Sequence, residues 1–99
     1  MPTLKIDLQD GFEREPVTVR VNGKPVLTRP DVRTSPLTGL AGSVTVEVAA
    51  GPVDIEVELP KRGLERKLNL QVKADTYLGI SRSEKGIDHI VRMEPFGYA

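Results

Sequence analysis

The stretch that decides the fold is VDIEVELPKRGLERKLNLQV, Val53 to Val72. Its first seven residues alternate strictly, with Val53, Ile55, Val57 and Leu59 on one face and Asp54, Glu56 and Glu58 on the other. A period of two is the signature of a half-buried strand, and the β-branched content agrees. A slip of one residue would turn every one of those apolar side chains to water, so the register is strongly specified. Pro60-Lys61-Arg62-Gly63 then signals a turn. The return run carries Leu64, Leu68, Leu70 and Val72 in phase, but Arg66 takes an inward slot. That interruption predicts a strand leaving its sheet near the tip.

The same period extends outward in both directions. TLKIDL sets Leu4, Ile6 and Leu8 against Lys5 and Asp7, and VTVRV sets Val17, Val19 and Val21 against Thr18 and Arg20. SVTVEV places Val44, Val46 and Val48 inward, with Thr45 and Glu47 outward. Further on, TYLGISR pairs Leu78 with Ile80 on one face and turns Tyr77 to the other. IDHIVRM puts Ile87, His89, Val91 and Met93 in one phase, which Ile90 breaks, so either a bulge or a face covered from both sides is expected there. Asp10-Gly11, Ala50-Gly51-Pro52 and Ser83-Glu84-Lys85-Gly86 read as further turns. Asn22-Gly23 is the strongest hairpin signal, because both residues tolerate the positive φ of a type I′ turn.

One stretch resists strand logic. Thr28 to Gly42, TRPDVRTSPLTGLAG, is long and irregular and reads as an excursion or an edge. Lys24-Pro25 starts the return strand of the hairpin, and Pro25 and Pro30 make that strand short or peripheral because proline cannot donate to a ladder. The fold class that follows is all-β, an antiparallel sandwich of about seven short strands, Ig-like or transthyretin-like. Residues 1–99 make one domain, with 93–99 as a C-terminal tail.

Composition narrows the function. Fourteen Lys and Arg balance fourteen Asp and Glu, so nothing draws the chain to nucleic acid or an anionic membrane. The basic run PKRGLERK reads as a solvated hairpin tip. With no cysteine, disulfides, zinc-thiolate sites and cysteine nucleophiles are excluded. MPTLKIDLQD lacks the basic start and apolar core of a signal peptide, and no apolar run approaches the ~20 residues of a bilayer span. As it stands the sequence reads as cytoplasmic, or as a cell-envelope domain if a leader has been removed.

Chemistry is sparsely provided for. His89 is the only histidine, and Ser35, Ser43, Ser81 and Ser83 lie in no nucleophile-elbow pattern. His89 in a strand is expected to be a half-buried packing residue. The aspartates lack calcium-loop spacing, and Glu47, Glu56 and Glu58 fall where an outward strand position takes a charge. Phosphate-binding glycine motifs are missing, and Phe12, Tyr77, Phe96 and Tyr98 do not gather on one strand as a base-stacking sheet would need. The expectation is therefore no catalytic residue, no metal and no cofactor.

The stretch VAAGPVDIEVELPKRGLERKLNLQVKADTYLGIS resembles the small bacterial PEGA-type β-domains, as do the elements before it. Val19 to Val21 followed by Asn22, Gly23 and Lys24 match a strand ending in a hairpin, and Ser35-Pro36-Leu37 match a short proline segment. Gly51, Val53, Ile55 and Val57 match a glycine-led strand, Gly63-Leu64 stands in for the family's glycine-aromatic turn, and Val72 to Thr76 match the lead-in to the last strand. The likeness spans roughly residues 17–81 and is shared with transthyretin-like and carboxypeptidase-regulatory-like sandwiches. It implies a non-catalytic accessory or interaction domain, with no catalytic residues to carry over.

The expectation for function is a protein-interaction or structural module, with self-association through an edge strand as a homodimer part of that reading. Its contact surface is expected among Arg29, Pro30, Asp31, Arg33, Pro36, Leu37, Tyr77, Phe96 and Tyr98. The tail aromatics either engage a partner or fold back to cap an open end of the sandwich. A carbohydrate-binding module stacking on Tyr77 or Tyr98 is the alternative, and a small hydrolase using His89 is a third.

Overall fold

Alternating sequences make strands with one apolar face, and such faces are covered most simply by stacking two sheets. The computed structural model, which describes residues Met1 to Gly97, has this arrangement. The strands are β1 (Thr3–Leu8), β2 (Glu15–Val21), β3 (Lys24–Val32), β4 (Gly42–Glu47), β5 (Gly51–Leu59), β6 (Leu64–Val72), β7 (Thr76–Ser83) and β8 (Gly86–Arg92). Sheet A has the order β4-β1-β7-β8 and sheet B the order β3-β2-β5-β6. The pairings are antiparallel except that of β1 with β7, which run parallel.

The all-β sandwich stands, with eight strands rather than seven. Beyond the seven alternating runs, the eighth strand is β3, the expected return strand of the Asn22-Gly23 hairpin. It is peripheral, as expected of an edge, but it is nine residues long rather than short. Both prolines sit where the ladder is already interrupted. The register with β2 shifts between Val19 and Arg20, beside Pro25, and again between Glu15 and Val17, beside Pro30. An edge strand with bulges has unpaired positions to spare, so two missing donors leave no hole in the sheet.

The turns behave according to their residues. Asn22 and Gly23 have φ of 49° and 82°, the positive pair of a type I′ hairpin. The Asn22 side chain also accepts the Asp54 amide at 3.0 Å, and the Asn22 amide donates to the Asp54 carbonyl at 2.8 Å, fastening the tip to β5. Asp10-Gly11 does join β1 to β2, but across the sandwich and not within one sheet. Gly11 has a φ of 89°, and a Cβ there would lie 1.8 Å from the Arg82 carbonyl oxygen, so only glycine fits the crossing.

The core fills the space between the sheets. Leu4, Ile6, Leu8, Leu78 and Ile80 of sheet A pack on Val17, Val19, Val53, Ile55, Val57 and Leu59 of sheet B, and buried Phe12 comes from the crossing segment. Edge strand β3 approaches β4 on one side of the sandwich, and β6 approaches β8 on the other. Strand β6 does not leave its sheet, because its register with β5 is continuous to the pair Leu59–Leu64. Strand β8 is likewise unbroken against β7, with no bulge at Ile90.

Candidate interaction surfaces

The residues singled out in the sequence fall into two separate places. Arg29, Pro30 and Asp31 lie exposed on edge strand β3, and Arg33, Pro36 and Leu37 belong to the loop that follows. The loop is ordered by its own bonds. The Thr34 amide donates to the Phe12 carbonyl at 2.9 Å, and the Phe12 amide donates to the Thr34 hydroxyl at 3.0 Å. Gly39 donates to the Ser35 carbonyl at 2.8 Å and Ala41 to the Leu8 carbonyl at 2.6 Å. Arg33 and Pro36 meet Phe12, Glu13, Arg14 and Thr34 around an open groove of about 460 Å³. Leu37, at the outer bend, is 83% exposed.

Tyr77 and Phe96 lie elsewhere, on the outer side of sheet A. Tyr77 is half-buried on β7 between Lys5 and Arg92 of its neighbours. Residues 93–97 turn back over this sheet, and the Arg92 guanidinium stacks on Phe96 at 5.3 Å from the ring centre. Phe96 and Gly97 border a cleft with Gln9, Asp10, Thr38, Gly39, Ile90 and Arg92. Phe96 therefore folds back over a sheet face and not over an open end of the core. Tyr98 lies outside the described residues.

Strand β8 departs most from expectation. His89 was placed as a half-buried packing residue, and it is exposed. The reason is positional: β8 is the last strand of sheet A, and only Ile87 along it is fully covered. The Arg66 Nη2 lies 3.3 Å from His89 Nδ1. A guanidinium only donates, so Nδ1 is the acceptor in that bond. Arg66 thus has a purpose in its inward slot, reaching from the edge of sheet B to the edge of sheet A. Ile90 and Val91 are 42% and 41% exposed, one on each face of β8.

Hydrogen-bond parity shows which backbone groups of β8 point away from the sheet, without a strand partner among the described residues. The Ile80 carbonyl accepts from Gln9 and the Arg82 amide donates to Asp10, so even-numbered residues of β7 bond toward β1. Odd-numbered residues of β7 therefore bond toward β8, pairing Ser81 with Asp88, Gly79 with Ile90 and Tyr77 with Arg92. Along β8 it follows that Ile87, His89 and Val91 direct their N–H and C=O groups away from the sheet.

Two buried carboxylates were not singled out from the sequence as buried. Glu15, with its side chain 3% exposed, lies 3.4 Å from Arg82 Nε and 3.7 Å from Arg62 Nε, and accepts the Glu13 amide at 3.2 Å. It ties the end of sheet B to β7 of sheet A. Its signal was present, since Glu15 is in phase with Val17, Val19 and Val21. Asp7 had no such signal. It points outward, yet it is buried beside Gly79 and accepts the Ser43 hydroxyl at 2.8 Å.

A third acidic group lies on the outer face of sheet B, with Glu56 and Glu58 half-buried and Glu65 exposed. Glu56, Glu58 and Glu65 bring carboxylate oxygens within 4.8 Å of one another on sheet B. Arg20 lies 3.9 Å from Glu56 and 3.7 Å from Glu58, and Lys67 lies 3.4 Å from Glu65, so the group reads as a mixed-charge ladder.

Three of the four serines considered beside His89 use their hydroxyls locally. Ser43 serves Asp7, Ser35 accepts the Leu37 amide and Ser83 accepts the Lys85 amide. Ser81 points to the opposite face of sheet A from His89, because it pairs with Asp88. Neither the family models nor the curated proteins include a match to this chain.

Proposed function

We propose that the chain is a non-catalytic protein-interaction module whose contact surface is the free edge of β8 together with the folded-back tail. The observation that carries this is the edge itself. An unpaired strand presenting the backbone groups of Ile87, His89 and Val91, with apolar Ile90 and Val91 exposed beside them, is a template for another strand. The other edges are less receptive. Strand β3 carries two prolines and two register shifts, β4 has six residues, and β6 turns Glu65, Lys67, Asn69 and Gln71 outward. The likeness to PEGA-type accessory domains supports the same reading, as does the local use of the serine hydroxyls.

The test is site-specific photo-crosslinking of the full chain in its cell of origin, with the probe at position 90, 96 or 37, and at exposed Lys73 as a control. Polypeptide adducts are expected at positions 90 and 96, well above those at 73. Adducts confined to 37 would move the surface to the loop. Binding on a glycan array, lost in Tyr77→Ala, with no polypeptide adduct at any position would replace this reading with the carbohydrate module.

A further inference from the structure

Resting on that reading, we infer that the partner strand of β8 is β8 of a second copy of this chain, paired antiparallel about a two-fold axis through Ile90. The strand reads Gly86-Ile87-Asp88-His89-Ile90-Val91-Arg92 and is charge-palindromic about its fifth residue. Antiparallel pairing centred there sets Asp88 of each copy opposite Arg92 of the other, with the two Ile90 side chains facing each other between these pairs. On the inner face, His89 meets Val91 and Ile87 meets Met93 of the other copy.

The backbone permits this register. The free N–H and C=O groups belong to Ile87, His89 and Val91, and centring on Ile90 pairs His89 with Val91 of the other copy, joining two residues that both bond outward. Ile90–Ile90 and Asp88–Arg92 then become the non-hydrogen-bonded pairs, in which opposing side chains lie closest. Neighbouring registers of the same parity are poorer. Centring on Asp88 opposes two aspartates, and centring on His89 opposes Asp88 to Ile90. Centring on Val91 opposes Ile90 to Arg92 and Asp88 to Glu94. The Ile90 register alone among these four satisfies both charges and covers the isoleucine.

Two further observations fit a second copy. Besides Ile90, Val91 and Met93 are exposed at this edge, at 41% and 60%, and the pairing covers both. Arg92 is already stacked on Phe96, which holds its guanidinium on the outer face of sheet A, where Asp88 of the other copy would stand. Less side-chain freedom then remains to be lost on association. Two isologous four-stranded sheets would join as one of eight strands.

Sedimentation equilibrium of the full chain, from about 10 µM to about 1 mM so as to bracket weak pairing, tests the inference. A reversible monomer–dimer equilibrium is expected. Asp88→Arg and Arg92→Asp should each weaken dimerisation about tenfold or more by opposing like charges, and the double variant D88R/R92D should restore it. Ile90→Lys should be monomeric, with a thermal melt matching that of the monomeric parent. A strict monomer across the range overturns the inference, and so does a dimer indifferent to Ile90→Lys or a double variant that is not rescued. Polypeptide crosslinks at position 90 in a chain that remains monomeric would overturn self-pairing alone and leave the interaction module standing.

Discussion

The two sides of the sandwich are finished differently. Where β3 meets β4, Leu27 and Val32 are buried, Val26, Val44 and Val46 are half-buried with none of the three exposed, and the edge of sheet B is blunted by Pro25, Pro30 and two register shifts. Where β6 meets β8, Leu64, Leu68 and Leu70 are only half-buried, Val91 is exposed, and the Arg66–His89 bond crosses between the sheets. Both sides come from sequences with the same period. The difference shows that alternation decides which face a side chain points to, whereas burial depends on what stands opposite. A closed edge protects the core, and an open one offers itself for pairing.

The largest expected effect lies in the strands between the two sides. Ile55→Asp would bury a charge with no partner in the core, and the cooperative thermal transition should disappear. A variant that melted near the parent temperature would mean β5 does not carry the shared core. Next is the clasp at the end of the sheets. Glu15→Gln should destabilise by about 3 kcal/mol, toward the lower end for a broken buried pair because Arg62 is partly exposed and screened. Urea titration measures this, and a change below about 0.5 kcal/mol, the scatter of ordinary surface substitutions, would show the clasp to be incidental.

The same truncation on each side should separate the two in stability. Leu27→Ala should cost about 3 kcal/mol, as for a buried leucine, and Leu68→Ala about 1 kcal/mol because its site is half open. Equal losses at protein concentrations that keep the chain monomeric would mean the β6/β8 side is as well packed as the other. The smallest effect is expected from His89→Ala, within about 0.5 kcal/mol, since the imidazole is exposed and its bond to Arg66 is solvated. A loss above about 1.5 kcal/mol, more than a typical net hydrogen bond, would make that bond a structural closure of the open side.

Much of the strand pattern was legible in the sequence because a period of two is a local property. Val53, Ile55, Val57 and Leu59, and likewise Leu4, Ile6 and Leu8, are buried as the alternation required. Strand β3 was legible as a peripheral return strand, but not its full nine residues, because proline lowers local strand preference and only the edge position and bulges make Pro25 and Pro30 harmless. Glu15 was legible by phase but is polar, and nothing local announces the two arginines that neutralise it. Of the candidate surface, Arg33 and Pro36 do share a groove, but Phe12 and Arg14 beside them arrive from the crossing between sheets. The free edge was expected as a kind of site, whereas its identity as β8 depends on sheet order.

The sequence by itself determined the strand faces, the positions of the turns and the apolar character of the core. Each follows from interactions within a few residues: side chains alternating along an extended backbone, and Asn-Gly or Gly at positive φ. The tertiary structure decided which strands became edges, that β1 runs parallel beside β7, and that Asp7 and Glu15 are buried. Those outcomes depend on contacts between residues far apart in the chain, such as Glu15 with Arg82 or Arg66 with His89, and no local pattern encodes them. The outward-facing groups of Ile87, His89 and Val91 are the clearest instance, since among the described residues no strand lies beyond β8.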